Sequence, residues 1–240
     1  MPEPRVLAVP VAFNEEKKIG SVLGRFQGVG GIDELLLLDD ASTDGTKKIA
    51  ESMGIKVLTQ PRRSGVGAAI RRAIRYAQEN NFDVLVILAG NDKDRPAEIH
   101  RLTDAVFKEG FDFVQGSRYL AGGNFGNMPL YRQISTRWLH PLLFSLAAGK
   151  WITDSTNGFR AIRISCFKDK RIHIDQEWLD HYELEPYLFF KFIRLGYPVK
   201  EVPVTKIYPP KELGYTKMQP WTGWWSILRP IFLLGLGIKK

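Results

Sequence analysis

Two adjacent carboxylates, Asp39 and Asp40, follow the run Leu35-Leu36-Leu37-Leu38 and precede Ala41-Ser42-Thr43-Asp44-Gly45-Thr46. Four apolar residues without polar alternation read as a strand buried on both faces, as parallel sheets require. Open α/β sheets bind ligands at the carboxyl ends of their strands. The two aspartates therefore stand where they could accept hydrogen bonds from the base or ribose of a nucleotide. A solvated turn, with Ser or Asp capping the next helix, would use the same residue types. Further polar motifs follow other apolar runs: Phe13-Asn14-Glu15-Glu16, Gly90-Asn91-Asp92-Lys93-Asp94-Arg95-Pro96 and Gly116-Ser117-Arg118. Asp154-Ser155-Thr156-Asn157-Gly158-Phe159-Arg160 comes later in the chain.

The elements that must position these residues alternate. Strands are expected at residues 6–11, 35–39, 56–58, 84–88 and 113–116, and helices at 14–26, 46–53, 67–80 and 96–109. This alternation predicts an α/β fold with a mainly parallel central sheet and helices on both faces. Beyond Arg118 the pattern loosens. Helices are expected near 130–148 and 183–195, and a strand at 199–204. Gly65-Val66-Gly67 opens the basic helix, but a glycine pair alone is weak evidence of phosphate binding.

The chain has 240 residues, 44% hydrophobic and 25% charged, which suits one soluble globular domain. Its formal charge of +8 points to an anionic partner. A nucleic-acid binder would account for that charge but not for carboxylates at strand ends. The single cysteine, Cys166, leaves no intramolecular disulfide, and none of the four histidines has metal-ligand spacing. With no apolar leader at the N-terminus, a cytoplasmic location is expected. Trp221, Trp224 and Trp225 precede a short apolar run and the pair Lys239-Lys240. That run is too short to span a bilayer, which takes about 20 residues. It suits either a segment lying in a membrane interface or a helix docked on the protein's own core.

Taken in order, these motifs resemble family 2 glycosyltransferases with the A-type nucleotide-diphospho-sugar fold, over residues 5–217. Within them the chain is most similar to the dolichyl-phosphate mannose synthase group. The resemblance implies a single Rossmann-like catalytic domain at 1–218, and the tryptophans, apolar run and lysines beyond it are read as an amphipathic, membrane-interface tail at 219–240. Phe13, Asn14 and Glu15 match the family's Tyr-Asn-Glu segment at the base and ribose, although the family proline of that segment falls on Val11. Asp39 and Asp40 match its nucleotide-binding pair. The family's Asp-x-Asp metal motif aligns with Ala89-Gly90-Asn91, so a divalent cation, Mg²⁺ or Mn²⁺, would fall to Asn91, Asp92 and Asp94. Asp92, Arg118 and Arg160 are the implied catalytic residues. Arg132 and Ser135 match acceptor-phosphate positions, and Lys211 and Lys217 match the family's Arg-x-x-Gly-x-Ser-Lys loop.

The implied reaction is inverting transfer of a hexose from GDP-mannose or a UDP-sugar to a polyprenyl phosphate, by an enzyme peripheral on the cytoplasmic membrane face. Such an acceptor is already an anionic nucleophile, so no general base is required; cations must position it. Two other readings stay open: a family 2 transferase with a soluble or glycan acceptor, and a non-catalytic nucleotide-binding relative with a degenerate metal motif. Glu183 and Glu185 are expected to serve packing or salt bridges.

Overall fold

The apolar runs become neighbouring strands of one sheet in the computed structural model, which describes residues 4–209 and 220–239. The strands are β1 (Val6–Ala12), β2 (Glu34–Asp39), β3 (Lys56–Thr59), β4 (Val84–Ala89), β5 (Phe113–Ser117), β6 (Arg160–Arg163) and β7 (Val199–Pro203). Among the described residues they form a seven-stranded sheet in the order β3-β2-β1-β4-β6-β5-β7. All neighbours are parallel except β6, which runs antiparallel to both β4 and β5. The helices are α1 (Glu16–Gly24), α2 (Thr46–Ser52), α3 (Val66–Glu79), α4 (Ile99–Phe107), α5 (Leu130–Ile134), α6 (His140–Ala148), α7 (Leu184–Arg194) and α8 (Pro220–Gly235).

Alternate side chains of the central strands feed two cores, because successive residues of a strand face opposite ways. Leu7, Val9, Leu36 and Leu38 pack with α3, α6 and α7. Val6, Ala8 and Leu37 pack on the other face with α1 and α4. The Phe113 ring stacks on Phe189 of α7 at 5.0 Å, tying β5 to the first layer.

Three expectations are revised by the structure. β6 was not foreseen, since Arg-Ala-Ile-Arg is short and arginine-flanked and lies in the loosened region. The helix expected over residues 130–148 is divided by a π-turn at Ser135–Leu139. The helix expected over 96–109 begins as a 3-10 turn at Pro96–Glu98. The glycines at 65 and 67 are explained by packing: Gly65 has φ +95°, and a Cβ on Gly67 would lie 1.9 Å from the Leu179 carbonyl. The start of α3 is pressed against residues 179–181, with the Ala68 amide donating to the Asp180 carbonyl at 3.0 Å.

The C-terminal helix α8 is docked on the protein's own core by one face and leaves aromatic side chains exposed on the other. Ile231 and Leu234 join the core beside α6 and α7. Trp221, Trp225 and Phe232 point outward and are exposed. Pro230 sits inside the helix.

His140, at the start of α6, fastens α8 from below. It is 1% exposed, and Nε2 donates to the Ile227 carbonyl at 3.3 Å while Nδ1 accepts from the Ser155 hydroxyl at 2.7 Å. The tautomer follows because a carbonyl can only accept. Burial brings the imidazole's pKa down from 6.5 to about 4. The unfolded chain thus takes up this proton first as pH falls. The stability owed to neutral His140 is complete above about pH 6.5 and is lost down to about pH 4, on the order of 3 kcal/mol. Thermal melts across that range should show a shallower fall in Tm for His140→Gln than for the wild type; parallel curves would refute the assignment.

Candidate active site

The register of three parallel strands brings their ends to one level. Val11 pairs with Leu38 of β2 and with Ala89 of β4, and Ala12 pairs with Asp39. Strand order reverses at β1, whose neighbours are β2 and β4, and this is where a doubly wound sheet opens a crevice. A cavity of about 970 Å³ lies there, walled by residues after β1, β2 and β4, by Arg118 after β5, by Tyr182–Glu185, and by α8. Among its described lining residues cations outnumber carboxylates seven to four.

At one end stand the residues matched to the nucleotide. Phe13 lines the cavity with the Arg63 guanidinium 4.2 Å from its ring centroid. Asn14 has φ +51° and is held there from both sides. Its amide donates to the Ser42 hydroxyl and its side-chain oxygen accepts from the Thr43 amide, both at 2.8 Å. Glu15 pairs with Lys18 at 2.6 Å, and both are buried.

The aspartate pair divides its work. Asp39 is fully buried and accepts from the Ser42 amide at 3.2 Å, which closes its own turn. Asp40 lines the cavity and accepts from the amides of Ser64 and Gly65 at 2.9 and 3.0 Å, which fixes the loop before α3. Burial raises the Asp40 pKa, against the pull of those amides and of Arg63.

The loop after β4 departs from the expected metal site. Of residues 90–94 only Asn91 and Lys93 line the cavity. Asp92 adopts φ +65° and turns its carboxylate to Arg25 and to the Ser21 hydroxyl on α1. Asp94 is buried, pairs with Lys206 at 2.6 Å and accepts from the Ala89 amide at 2.9 Å. Among the described residues no group of three acidic, histidine or cysteine side chains could hold a metal ion. Asn91 Oδ1 is buried without a hydrogen-bond partner, but a neutral oxygen beside a lysine does not form a site for a hard dication. Among the described residues, the loop after β4 therefore gathers no ligand set for a divalent cation.

The arginines also separate. Arg118 lines the cavity while forming a two-pronged pair with Asp154 at 2.6 and 2.7 Å and donating to the Thr156 hydroxyl at 2.7 Å. Burial works against its charge, yet Asp154 outweighs burial and holds the guanidinium protonated. Arg160 is 2% exposed and lies behind the wall, donating to the Glu185 carboxylate at 3.0 Å and to the Asn157 carbonyl at 2.6 Å. Burial lowers its pKa, partly offset by Glu185. Glu185 reaches the cavity lining and Arg160 does not, so Arg160 stands behind a lining carboxylate. Arg132 lines the cavity and donates to the Tyr208 hydroxyl at 3.3 Å. The Ser135 hydroxyl is turned to the Tyr131 carbonyl at 2.8 Å and does not reach the cavity lining. Lys211 and Lys217 lie outside the described residues.

Sequence reasoning missed Lys18, Arg63, Lys93 and Lys206 as lining cations. Lys93 carried the clearest signal, since it stands in the loop where aspartates were expected. Its side chain is 4% exposed, and its ammonium lies 4.4 Å from the Tyr208 ring centroid. Burial first, and then Lys206, Arg132 and Lys18, bring its pKa down to about 7.

This doubly wound sheet with its switch-point cavity is a glycosyltransferase fold. Glucosyl-3-phosphoglycerate synthase from Mycobacterium tuberculosis, solved with Mn²⁺, UDP and glucosyl-3-phosphoglycerate, superposes with a TM-score of 0.70 at 21% identity, covering 99% of this chain and 82% of that one. Another structure of that enzyme holds Mg²⁺ and UDP. The chain belongs to glycosyl transferase family 2, whose profile matches residues 8–170. It is 32% identical to undecaprenyl-phosphate mannosyltransferase of Micrococcus luteus, over 89% of this chain and 87% of that protein. It is 30% identical to polyprenol monophosphomannose synthase of Mycolicibacterium smegmatis, over 90% and 82% of the two chains. Identity to a UDP-N-acetylglucosamine–dolichyl-phosphate N-acetylglucosaminyltransferase of Methanococcus voltae is 27%, over 84% and 85%.

Two substitutions separate the roles assigned here. Asp40→Asn should weaken binding of GDP or UDP about tenfold, roughly 1.4 kcal/mol, in calorimetric titration; unchanged affinity for both would remove Asp40 from the nucleotide site. Arg160→Ala should lower unfolding stability by about 3 kcal/mol or more, because it strands a partly buried carboxylate. An unchanged denaturation midpoint would show that the pair with Glu185 is not structural.

Proposed function

We propose that this enzyme transfers a hexose, with inversion, from a nucleotide diphosphate to the phosphate of a polyprenyl lipid at a membrane surface. The observation that carries this reading is the junction of the cationic cavity with an exposed apolar surface. Leu130, Tyr131, Ile134, Trp138, Leu142 and Leu146 are exposed along α5, the π-turn and α6, and Trp151 follows them. Trp221, Trp225 and Phe232 are exposed along α8, which packs on α6 and also walls the cavity. Soluble proteins seldom expose so much contiguous apolar surface without a partner. Tryptophans with flanking basic residues are suited to the headgroup level.

In this reading Phe13, Asn14, Glu15, Asp39 and Asp40 form or support the base and ribose site, and Arg118 faces the phosphates. An acceptor phosphate oxygen, brought in by Arg132 with Lys211 and Lys217, attacks the anomeric carbon. The bond from that carbon to the diphosphate oxygen breaks, and its electron pair leaves with the nucleoside diphosphate. No proton need be removed, because the nucleophile is already ionised. The cavity must supply positive charge and orientation, and its lining provides both.

The surface is read as lying on the cytoplasmic face of the membrane, with residues 1–218 as the catalytic unit and 219–240 as the tail that helps dock it. No helix among the described residues is long and apolar enough to cross a membrane. The net charge of +8 would draw the protein to anionic lipid in a salt-sensitive way.

Transfer should be seen from one of GDP-mannose, UDP-glucose or UDP-N-acetylglucosamine to undecaprenyl or dolichyl phosphate in liposomes, and not to soluble sugars. Because Ile231 and Leu234 are core residues, a charge pair on the outer surface tests docking better than truncation. Leu146→Glu with Trp221→Glu should abolish flotation with anionic liposomes and cut lipid-acceptor transfer at least about tenfold, with nucleotide affinity retained. Flotation equal to wild type would show that the surface does not meet lipid.

A further inference from the structure

We propose that Arg229 of α8 is a further acceptor-binding residue, whose guanidinium contacts the phosphate of the prenyl lipid where that lipid enters the cavity. This rests on the reading above that the acceptor is a polyprenyl phosphate.

α8 is an apolar helix with one polar stripe. Of its sixteen residues Arg229 alone carries a charge, and Thr222 and Ser226 supply its only hydroxyls. These three stand at i, i+4 and i+7, the spacing that puts side chains on one helix face. All three line the cavity. The stripe covers about 10 Å at 1.5 Å per residue, from the end that carries the exposed Trp221 and Trp225 to Arg229. Folding does not account for its polarity, since the Ser226 hydroxyl is buried with no hydrogen-bond partner.

The Arg229 side chain is gripped by one of its nitrogens. Nη2 donates to the Glu183 carboxylate at 2.6 Å and to the Trp178 carbonyl at 3.2 Å. Nη1 makes no hydrogen bond among the described residues, and a third of the side chain remains exposed. Glu183 is 2% exposed, and parting the pair would strand a buried carboxylate. Arg229 therefore keeps its place and offers its second nitrogen to a ligand. Arg118 is built the same way, lining the cavity while Asp154 holds it. A planar guanidinium can face two partners at once, which a compact ammonium does less well.

Depth decides which phosphate Arg229 meets. Tryptophans settle at the headgroup level of a bilayer, where the phosphate of a prenyl lipid also lies. Arg229 is one helical turn beyond Trp225, and side chains so spaced are about 6 Å apart. The nucleotide residues Phe13 and Asp40, by contrast, follow strands β1 and β2. Arg229 is thus assigned to the acceptor, where a charge-assisted bond from Nη1 orients the attacking phosphate.

The test is calorimetric titration of the full chain with farnesyl phosphate, a short prenyl phosphate, and with GDP and UDP. Arg229→Met combined with Glu183→Gln removes both charges, so no carboxylate is stranded. This double variant should bind farnesyl phosphate at least about tenfold more weakly than the wild type and the nucleotides within about threefold. Glu183→Gln alone should bind farnesyl phosphate at least as tightly as the wild type, because a nearby negative charge is gone and Arg229 remains. Arg229→Lys, which keeps a cation for Glu183, should lose about threefold or more and repeats the comparison should the double variant not fold. In liposomes the double variant should raise the KM for undecaprenyl phosphate at least about tenfold, with flotation and the donor's KM unchanged.

Farnesyl phosphate affinity that survives in the double variant or in Arg229→Lys overturns the proposal. So does a loss confined to GDP or UDP, which would place Arg229 at the donor. An equal loss in Glu183→Gln would show that the pair only props α8. Any of these, in an enzyme that still transfers to lipid, refutes Arg229 and sustains the transferase reading. A wild-type enzyme that neither binds farnesyl phosphate nor transfers to a prenyl phosphate refutes the acceptor reading itself.

Discussion

Burying cations is the constraint around which this site is built. An isolated buried charge costs several kcal/mol, and protein interiors tolerate one only with a close partner. Four of the deeply placed cations here have such a carboxylate partner among the described residues. Lys18 has Glu15, Lys206 has Asp94, Arg118 has Asp154, and Arg229 of α8 has Glu183 at 2.6 Å. The pairs hold the walls of the cavity at fixed places, so loops without regular structure keep a defined geometry. They also leave a net positive field in the crevice, which attracts an anion.

The sheet makes this arrangement attainable. Because β1, β2 and β4 are parallel and end together, three loops reach one place without long excursions. The antiparallel β6 then enters beside β4 from the opposite direction and delivers Arg160 behind the wall, where it holds Glu185. A strictly alternating βα chain would not have brought residues 154–160 to this point. The cost of that insertion is borne locally, by a short strand that interrupts an otherwise parallel sheet.

Much of this was legible in the sequence, and the unread part has a common cause. Apolar runs of four to six residues declared β1, β2 and β4, and the motifs after the strands declared the family. Asp40 was readable because it ends such a run. The partner of Arg160 could not be read, because an arginine after a glycine turn looks the same whether it faces a phosphate or Glu185, twenty-five residues further on. Ser135 and Asp92 likewise have partners that no local pattern announces, the Tyr131 carbonyl and Arg25. Residue type names the chemistry a side chain can do, but burial and long-range pairing decide which of those interactions it makes. β6 escaped notice because four residues that begin and end in arginine carry too little periodicity to stand out from a loop.

Pro230 gives α8 a mechanical character of its own. Proline brings no backbone N–H, so the Ser226 carbonyl one turn earlier loses its helical donor, and a helix bends most easily where its ladder is broken. The break falls between the half bearing Trp221 and Trp225 and the half pinned by Ile231 and Leu234. Bending strain concentrates at that joint. The half before the joint also walls the cavity and is tied to Glu183 through Arg229 and to His140 through the Ile227 carbonyl, so a tilt about the joint shifts the cavity wall itself.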